Sequence, residues 1–211
     1  MLTESELTCD GVVAIVRLDD LSAALPLTEA LVQGGVRTIE FTYTNPLAGK
    51  VIEQVRTEFG DRAVIGAGTV LDPETARAAI LSGAQFIVTP TLKTATIELC
   101  RRYSIPTVIG ALTPTEILTA WEAGATIVKV FPASFGGPGY LKDVRGPLPQ
   151  VKLIPTGGVS KENAAAFIKA GAVAIAAGSN LVDAKSVAAG DWDTITARAK
   201  ELAGIVAQAR G

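Results

Sequence analysis

Short apolar runs rich in Val and Ile alternate with longer segments of helical periodicity along the whole chain. The runs predict strands at Val12–Val16, Arg37–Thr42, Ala63–Ala67, Phe86–Val88, Thr107–Gly110, Ile127–Phe131, Lys152–Ile154 and Ala174–Ala177. Most lack strict apolar–polar alternation, as parallel strands covered on both faces do. Eight strand–helix units in 211 residues leave roughly 26 residues per unit, near the compact limit of a (β/α)8 TIM barrel. The expected fold is therefore one α/β barrel domain spanning 1–211, with eight parallel strands and outer helices. A short helix at the start would close the barrel bottom, and a last outer helix would run from about Asp191 to Ala209.

An internal repeat supports this reading. Even-numbered strands follow a helix-ending glycine, in "GGVRTIEF", "GAQFIVTP", "GATIVKVF" and "GAVAIAAG"; glycine is the residue that takes the left-handed conformation after a helix. Odd-numbered strands end in Gly or Thr and lead into a helix start, in "VIGAGTVLDPET", "VIGALTPTE" and "LIPTGGVSKEN". Asp72-Pro73-Glu74 reads as an N-cap, a first-turn proline and an acid matched to the helix dipole. Thr113-Pro114-Thr115-Glu116 has capping-box spacing. The alternation lacks a Gly-rich dinucleotide fingerprint, which favours a barrel over an open doubly wound sheet.

Composition then narrows the chemistry. The chain has no histidine, which removes histidine general bases, Ser-His-Asp triads and histidine-ligated zinc. Two cysteines, Cys9 and Cys100, form no metal or disulfide framework, and a reduced cytoplasmic setting is expected. Nineteen basic against 21 acidic residues give a net charge of −2, which points to neither nucleic-acid nor membrane-surface partners. The first residues, "MLTESELTCDG", carry acids and no basic segment, unlike a secretory signal. Charge-free stretches such as Ala78 to Leu92 are broken by Gly, Pro and polar residues and fall short of a membrane span. No cofactor and no metal are expected, and the partner is a small molecule.

Three charged residues sit where a barrel core or its C-terminal mouth should be: Arg17 after "VVAIV", Glu40 in "RTIEFT", and Lys129 in "ATIVKVF". Glu40 shares a strand face with Thr42, and Lys129 with Ile127 and Phe131. An ammonium buried without a partner is costly and loses its proton more easily. Lys129 could thus be ion-paired to Glu40, point outward past a helix, or act as a neutral amine that attacks a carbonyl. In the last case it forms a Schiff base, an electron sink, while Glu40 moves protons. Other strand-end groups are Thr69, Thr89-Pro90, Thr156-Gly157-Gly158 and Gly178-Ser179-Asn180. Glycine loops after the seventh and eighth strands are where barrels hold phosphate on backbone amides, although turns need glycine anyway. Phe131 could wall an apolar substrate end or simply belong to the core.

"IEFT", "VIGAGTVLDPE", "SGAQFIVTP", "IVKVFPA", "IPTGGVS" and "GSNLV", in that order, resemble the 2-keto-3-deoxy-6-phosphogluconate (KDPG) aldolases, also called KHG/KDPG aldolases. The resemblance covers nearly the whole chain. It implies a homotrimer of barrels and a metal-free class I aldolase. It further implies reversible cleavage of 2-dehydro-3-deoxy-6-phosphogluconate to pyruvate and glyceraldehyde 3-phosphate, with 4-hydroxy-2-oxoglutarate as a second substrate in many members. Carried over by motif, Lys129 is the Schiff-base residue and Glu40 the general acid/base. Thr69 and Pro90 line the pyruvate site, Thr156, Gly157 and Gly158 face the carboxylate and substrate chain, and Gly178 and Ser179 hold the phosphate. The alternatives are the galactonate epimer as substrate, or a non-catalytic phosphometabolite-binding barrel.

One position departs from the family pattern. Well-known members read "T-x-R-T" after the glutamate of the second strand, and that arginine meets the pyruvate carboxylate. Here the stretch is "EFTYTNP" and Thr44 holds the place. Arg17, with Val13 and Ile15 as inward neighbours, is the expected replacement; otherwise it is a solvated strand-end arginine.

Overall fold

The structure, a computed structural model, describes residues 2–211. Eight parallel strands form at β1 (Val12–Val16), β2 (Thr38–Thr42), β3 (Val64–Gly68), β4 (Ile87–Val88), β5 (Thr107–Ala111), β6 (Ile127–Val130), β7 (Leu153–Pro155) and β8 (Ile175–Ala177). They join in the order β7-β6-β5-β4-β3-β2-β1-β8. The Thr156↔Ala176 bridge closes the remaining seam, helped by the Val173 N–H donating to the Leu153 carbonyl at 3.0 Å. The sheet is therefore a (β/α)8 barrel.

Helices α1 (Glu4–Leu7), α2 (Ala24–Gln33), α3 (Ala48–Phe59), α4 (Pro73–Leu81) and α5 (Thr94–Arg102) accompany the first half. Helices α6 (Pro114–Glu122), α7 (Gly137–Arg145), α8 (Ala164–Lys169), α9 (Ala184–Ala188) and α10 (Trp192–Arg210) accompany the second. Their starts follow the cap chemistry legible in the sequence. Asp72 Oδ1 accepts from the Thr75 N–H at 2.6 Å, and Pro73 opens α4. Thr113 and Glu116 exchange both capping-box bonds, at 3.2 and 2.8 Å. The glycines of the fourfold repeat, Gly35, Gly83, Gly124 and Gly171, all have positive φ, between 84° and 97°. A side chain there would strain the turn into each even-numbered strand.

Alternating strand residues separate two cores. One set faces the helices and builds the outer layer, including Phe41, Ile39, Ile65 and Val128. The other faces inward and fills the barrel with Val13, Ile15, Phe86, Val88, Val108, Ile127, Ile154 and Ala176. Leu7 of α1 joins that interior cluster, and its carbonyl accepts from the Thr38 hydroxyl at 3.1 Å, so α1 closes the bottom of the barrel as expected. Only β1 keeps both expected edges; the other seven strands shift by one residue at one or both ends. The sixth strand ends at Val130, one residue before the expected Phe131, whose N–H still donates to the Ala111 carbonyl at 3.0 Å. The third runs one residue further, to Gly68, held by pairing with Thr42.

Candidate active site

The inward parity that buries Val13, Ile127 and Ile154 also carries Glu40 and Lys129 inside. Lys129 stands on β6 between Gly110 of β5 and Ile154 of β7; Glu40 stands on β2 between Ile15 of β1 and Gly66 of β3. Both are almost fully buried, Glu40 at 1 % and Lys129 at 4 % exposure. The outward, solvated alternative for Lys129 is thereby excluded. So is a close ion pair: among the described residues no Lys129–Glu40 salt bridge forms. Glu40 Oε1 is buried with no hydrogen-bond partner.

Small residues make the room. A Cβ at Gly68 would lie 2.5 Å from Glu40 Oε1, and one at Gly66 would lie 2.5 Å from the Phe86 ring. A Cβ at Gly110, the strand neighbour of Lys129, would lie 2.2 Å from the Pro90 backbone. Burial pushes the Glu40 carboxyl upward from its ordinary value, while the charges of Lys129 and then Arg17 pull it back. Burial pushes the Lys129 amine downward; Glu40 opposes this and Arg17 reinforces it. The site thus favours a neutral amine and a carboxyl able to hold a proton, the pairing that Schiff-base chemistry needs. The Lys129 Nζ lies 5.3 Å from the centre of the Phe131 ring.

A cavity of about 370 Å³ opens over Lys129 at the C-terminal end of the barrel. Arg17, Phe131 and Thr156 line it with the lysine, and so do Gly157, Gly158, Gly178 and Ser179 of the loops after β7 and β8. Thr156 Oγ1 is a second buried polar atom without a protein partner. Such atoms cost free energy unless a ligand or water meets them. Gly157 and Gly158 have φ of 88° and 75°, and a Cβ at Gly158 would come within 2.8 Å of the Ser134 Cβ. Among the described residues the N–H groups of Gly157, Gly158 and Ser179 take no backbone acceptor, which leaves donors that an anion could use.

The remaining expected residues sit around this cavity rather than on its wall. Thr69 has φ 55°, uncommon for a β-branched residue, and its hydroxyl accepts from Arg17 Nη2 at 3.2 Å. Pro90 packs over Gly110. Thr44 is exposed, with its hydroxyl 2.8 Å from that of Thr42. Sequence reasoning did not single out Ile15, Asn180 or Asp183 as lining residues, yet all three border the cavity. Asn180 Nδ2 donates to the Val159 carbonyl at 2.7 Å and ties the two glycine loops together. Its place in "GSN" was the available signal. Among the described residues, no cluster of three or more His, Cys, Asp or Glu could hold a metal ion, and no helix is long and apolar enough to cross a membrane.

A family model described as KDPG and KHG aldolase matches residues 3–198. The chain belongs to that family. It is 36% identical over 199 residues to the KHG/KDPG aldolase of Escherichia coli K12, covering 94% of this chain and 93% of that one. It is 37% identical over 170 residues to the 2-dehydro-3-deoxy-6-phosphogalactonate aldolase of the same strain, covering 80% and 83%. The structure also superposes on a KDPG aldolase from Legionella pneumophila with pyruvate captured as a covalent carbinolamine, with a TM-score of 0.86 and 29% identity over 94% of this chain and 97% of that one. As a member of the KDPG and KHG aldolases, the chain is a Schiff-base lyase. Lys129 is the one buried lysine among the described residues.

Proposed function

We propose that this aldolase cleaves 2-dehydro-3-deoxy-6-phosphogluconate reversibly to pyruvate and glyceraldehyde 3-phosphate, with Lys129 as nucleophile and Glu40 as the proton carrier. The neutral amine of Lys129 adds to the C2 carbonyl, and loss of water leaves an iminium. Removal of the C4 hydroxyl proton then breaks the C3–C4 bond, and its electron pair moves into the iminium to give an enamine. Protonation at C3 and hydrolysis release pyruvate and restore the lysine. Glu40 gives and takes these protons, and its raised affinity for a proton suits both roles.

The observation that carries this reading is the nearly buried Lys129 amine bordering the cavity, with a buried Glu40 carboxyl on the facing side of the barrel and no salt bridge between them. Arg17 would meet the keto-acid carboxylate beside Thr69 and Thr156, with Pro90 behind Gly110, and Phe131 would wall the C3 methylene. Gly157, Gly158, Gly178 and Ser179 would take the phosphate on backbone amides. Treatment with borohydride in the presence of pyruvate, followed by peptide mass spectrometry, tests the assignment. A reduced adduct on Lys129 is expected; no adduct would favour a non-catalytic phosphometabolite-binding barrel.

The galactonate epimer is a second reading, favoured by the similarity to the phosphogalactonate aldolase. Steady-state rates on both epimers and on 4-hydroxy-2-oxoglutarate separate these substrates. A homotrimer, implied by the family resemblance, is also proposed. Exposed Leu47 and Leu71, at 57% and 55%, follow adjacent strands β2 and β3 and support an apolar contact between copies. Light-scattering mass in solution tests it.

A further inference from the structure

The phosphate end of the cavity contains a contradiction. Its lining holds two basic side chains, Arg17 and Lys129, but the proposed mechanism uses both at the keto acid. Beside the glycine loops the lining offers amides, Asn180 and one carboxylate, Asp183. A phosphate dianion would approach that carboxylate, and like charges in a partly dry cavity repel strongly.

Asp183 is not free to face it. Its Oδ1 accepts from the Ser186 N–H at 2.9 Å as the N-cap of α9. Its Oδ2 is ion-paired to Arg198 of α10. Arg198 does not line the site. It borders a neighbouring cavity of about 230 Å³ on the other side of Val159 and Asn180, which line both. The guanidinium thus opposes the charge of the carboxylate from the side of that neighbouring cavity. The Arg198 contact also holds the carboxyl well below the usual carboxylate range, so it remains ionised and in need of that partner.

We propose that Arg198 is a positioning residue for phosphorylated substrates: by pairing with Asp183 it neutralises the one carboxylate beside the phosphate-binding amides and so sets the preference for a phosphorylated over an unphosphorylated keto acid. This rests on the phosphorylated keto-acid reading given under Proposed function. The pair acts on the phosphate and not on the Lys129 chemistry.

The test compares Arg198→Met, Asp183→Asn and the double variant. Methionine keeps an apolar stem, and asparagine keeps an N-cap. Two readouts are taken: KM and kcat for 2-dehydro-3-deoxy-6-phosphogluconate, and deuterium exchange into the methyl group of pyruvate, which needs the Schiff base but no phosphate. Arg198→Met should raise KM for the phosphorylated substrate about tenfold, with kcat and pyruvate exchange near wild type. High salt should shrink that difference. Asp183→Asn, which leaves Arg198 unpaired, should lower KM, and the double variant should return it close to the wild-type value. An unchanged KM in Arg198→Met would overturn the proposal. So would an equal loss in both readouts, or a defect that persists in the double variant, since these mark a purely structural pair. If the wild type neither exchanges pyruvate nor cleaves the phosphorylated acid, the aldolase reading itself falls, and this proposal with it.

Discussion

Replacing Arg17 with alanine is the sharpest test of how this chain handles the substrate carboxylate. Arg17 follows β1 on the same face as Val13 and Ile15 and lines the cavity with Lys129. Its Nη2 is already oriented by the Thr69 hydroxyl at 3.2 Å. At the position where other family members carry an arginine, Thr44 offers one neutral hydroxyl, 2.8 Å from the hydroxyl of Thr42. A hydrogen bond to a charged group contributes about 1.5–3 kcal/mol, and a guanidinium can supply two in parallel. Arg17 is exposed, so solvent screening discounts the sum to about 2–3 kcal/mol. That corresponds to a loss of roughly 30- to 160-fold in kcat/KM. The KM for pyruvate in the synthetic direction should rise, and Arg17→Lys should recover only part, because a point charge lacks the fork. In Arg17→Ala/Thr44→Arg the charge returns from β2, and activity should partly recover. A second signature follows from electrostatics. Arg17 helps keep Lys129 below its ordinary value, so its removal should move half-maximal borohydride trapping to higher pH. Full kcat/KM and an unchanged pyruvate KM in Arg17→Ala would refute the clamp, leaving Thr156 and its neighbouring amides as the donors.

Lys129→Ala should abolish both cleavage and adduct formation, while the thermal midpoint changes little, since removal of a desolvated amine offsets the cavity; an adduct on another lysine would reassign the nucleophile. Glu40→Gln should slow turnover by roughly two to four orders of magnitude yet still permit trapping at Lys129. The raised Glu40 value means that the native state binds the extra proton, so its stability falls as pH rises from about 4.3, the unfolded value, through the folded one. The thermal midpoint of Glu40→Gln should therefore gain on wild type across that window and show no gain below it. Gly68→Ala should reduce kcat through displacement of the Glu40 carboxyl, since the new Cβ would lie 2.5 Å from Oε1; unchanged kcat would show that the carboxyl has room to spare. Activity should survive exhaustive chelation with EDTA, because the iminium already serves as the electron sink; loss restored by a divalent ion would overturn the mechanism.

Much of this protein is written locally. The period of the apolar runs, the helix-ending glycines before even-numbered strands, and the caps at Asp72 and Thr113 depend on neighbours a few residues away. They therefore predicted the eight βα units before any contact was known. The same local reading marked Lys129 and Glu40, because a charge inside an apolar run stands out regardless of the fold. The absence of histidine limited the chemistry from composition alone. Whether the lysine was paired, exposed or isolated was not local. It depended on barrel closure, which sets Lys129 between Gly110 and Ile154 and Glu40 between Ile15 and Gly66. Nor could spacing reveal that Arg17 meets Thr69 or that Arg198 reaches Asp183 from behind the phosphate loops. Strand propensity and side-chain period act over a few residues, whereas register around a closed sheet is set by all eight strands together. Pairings between distant segments emerge only from that closure, and here they decide which charged groups face the lysine and the cavity around it.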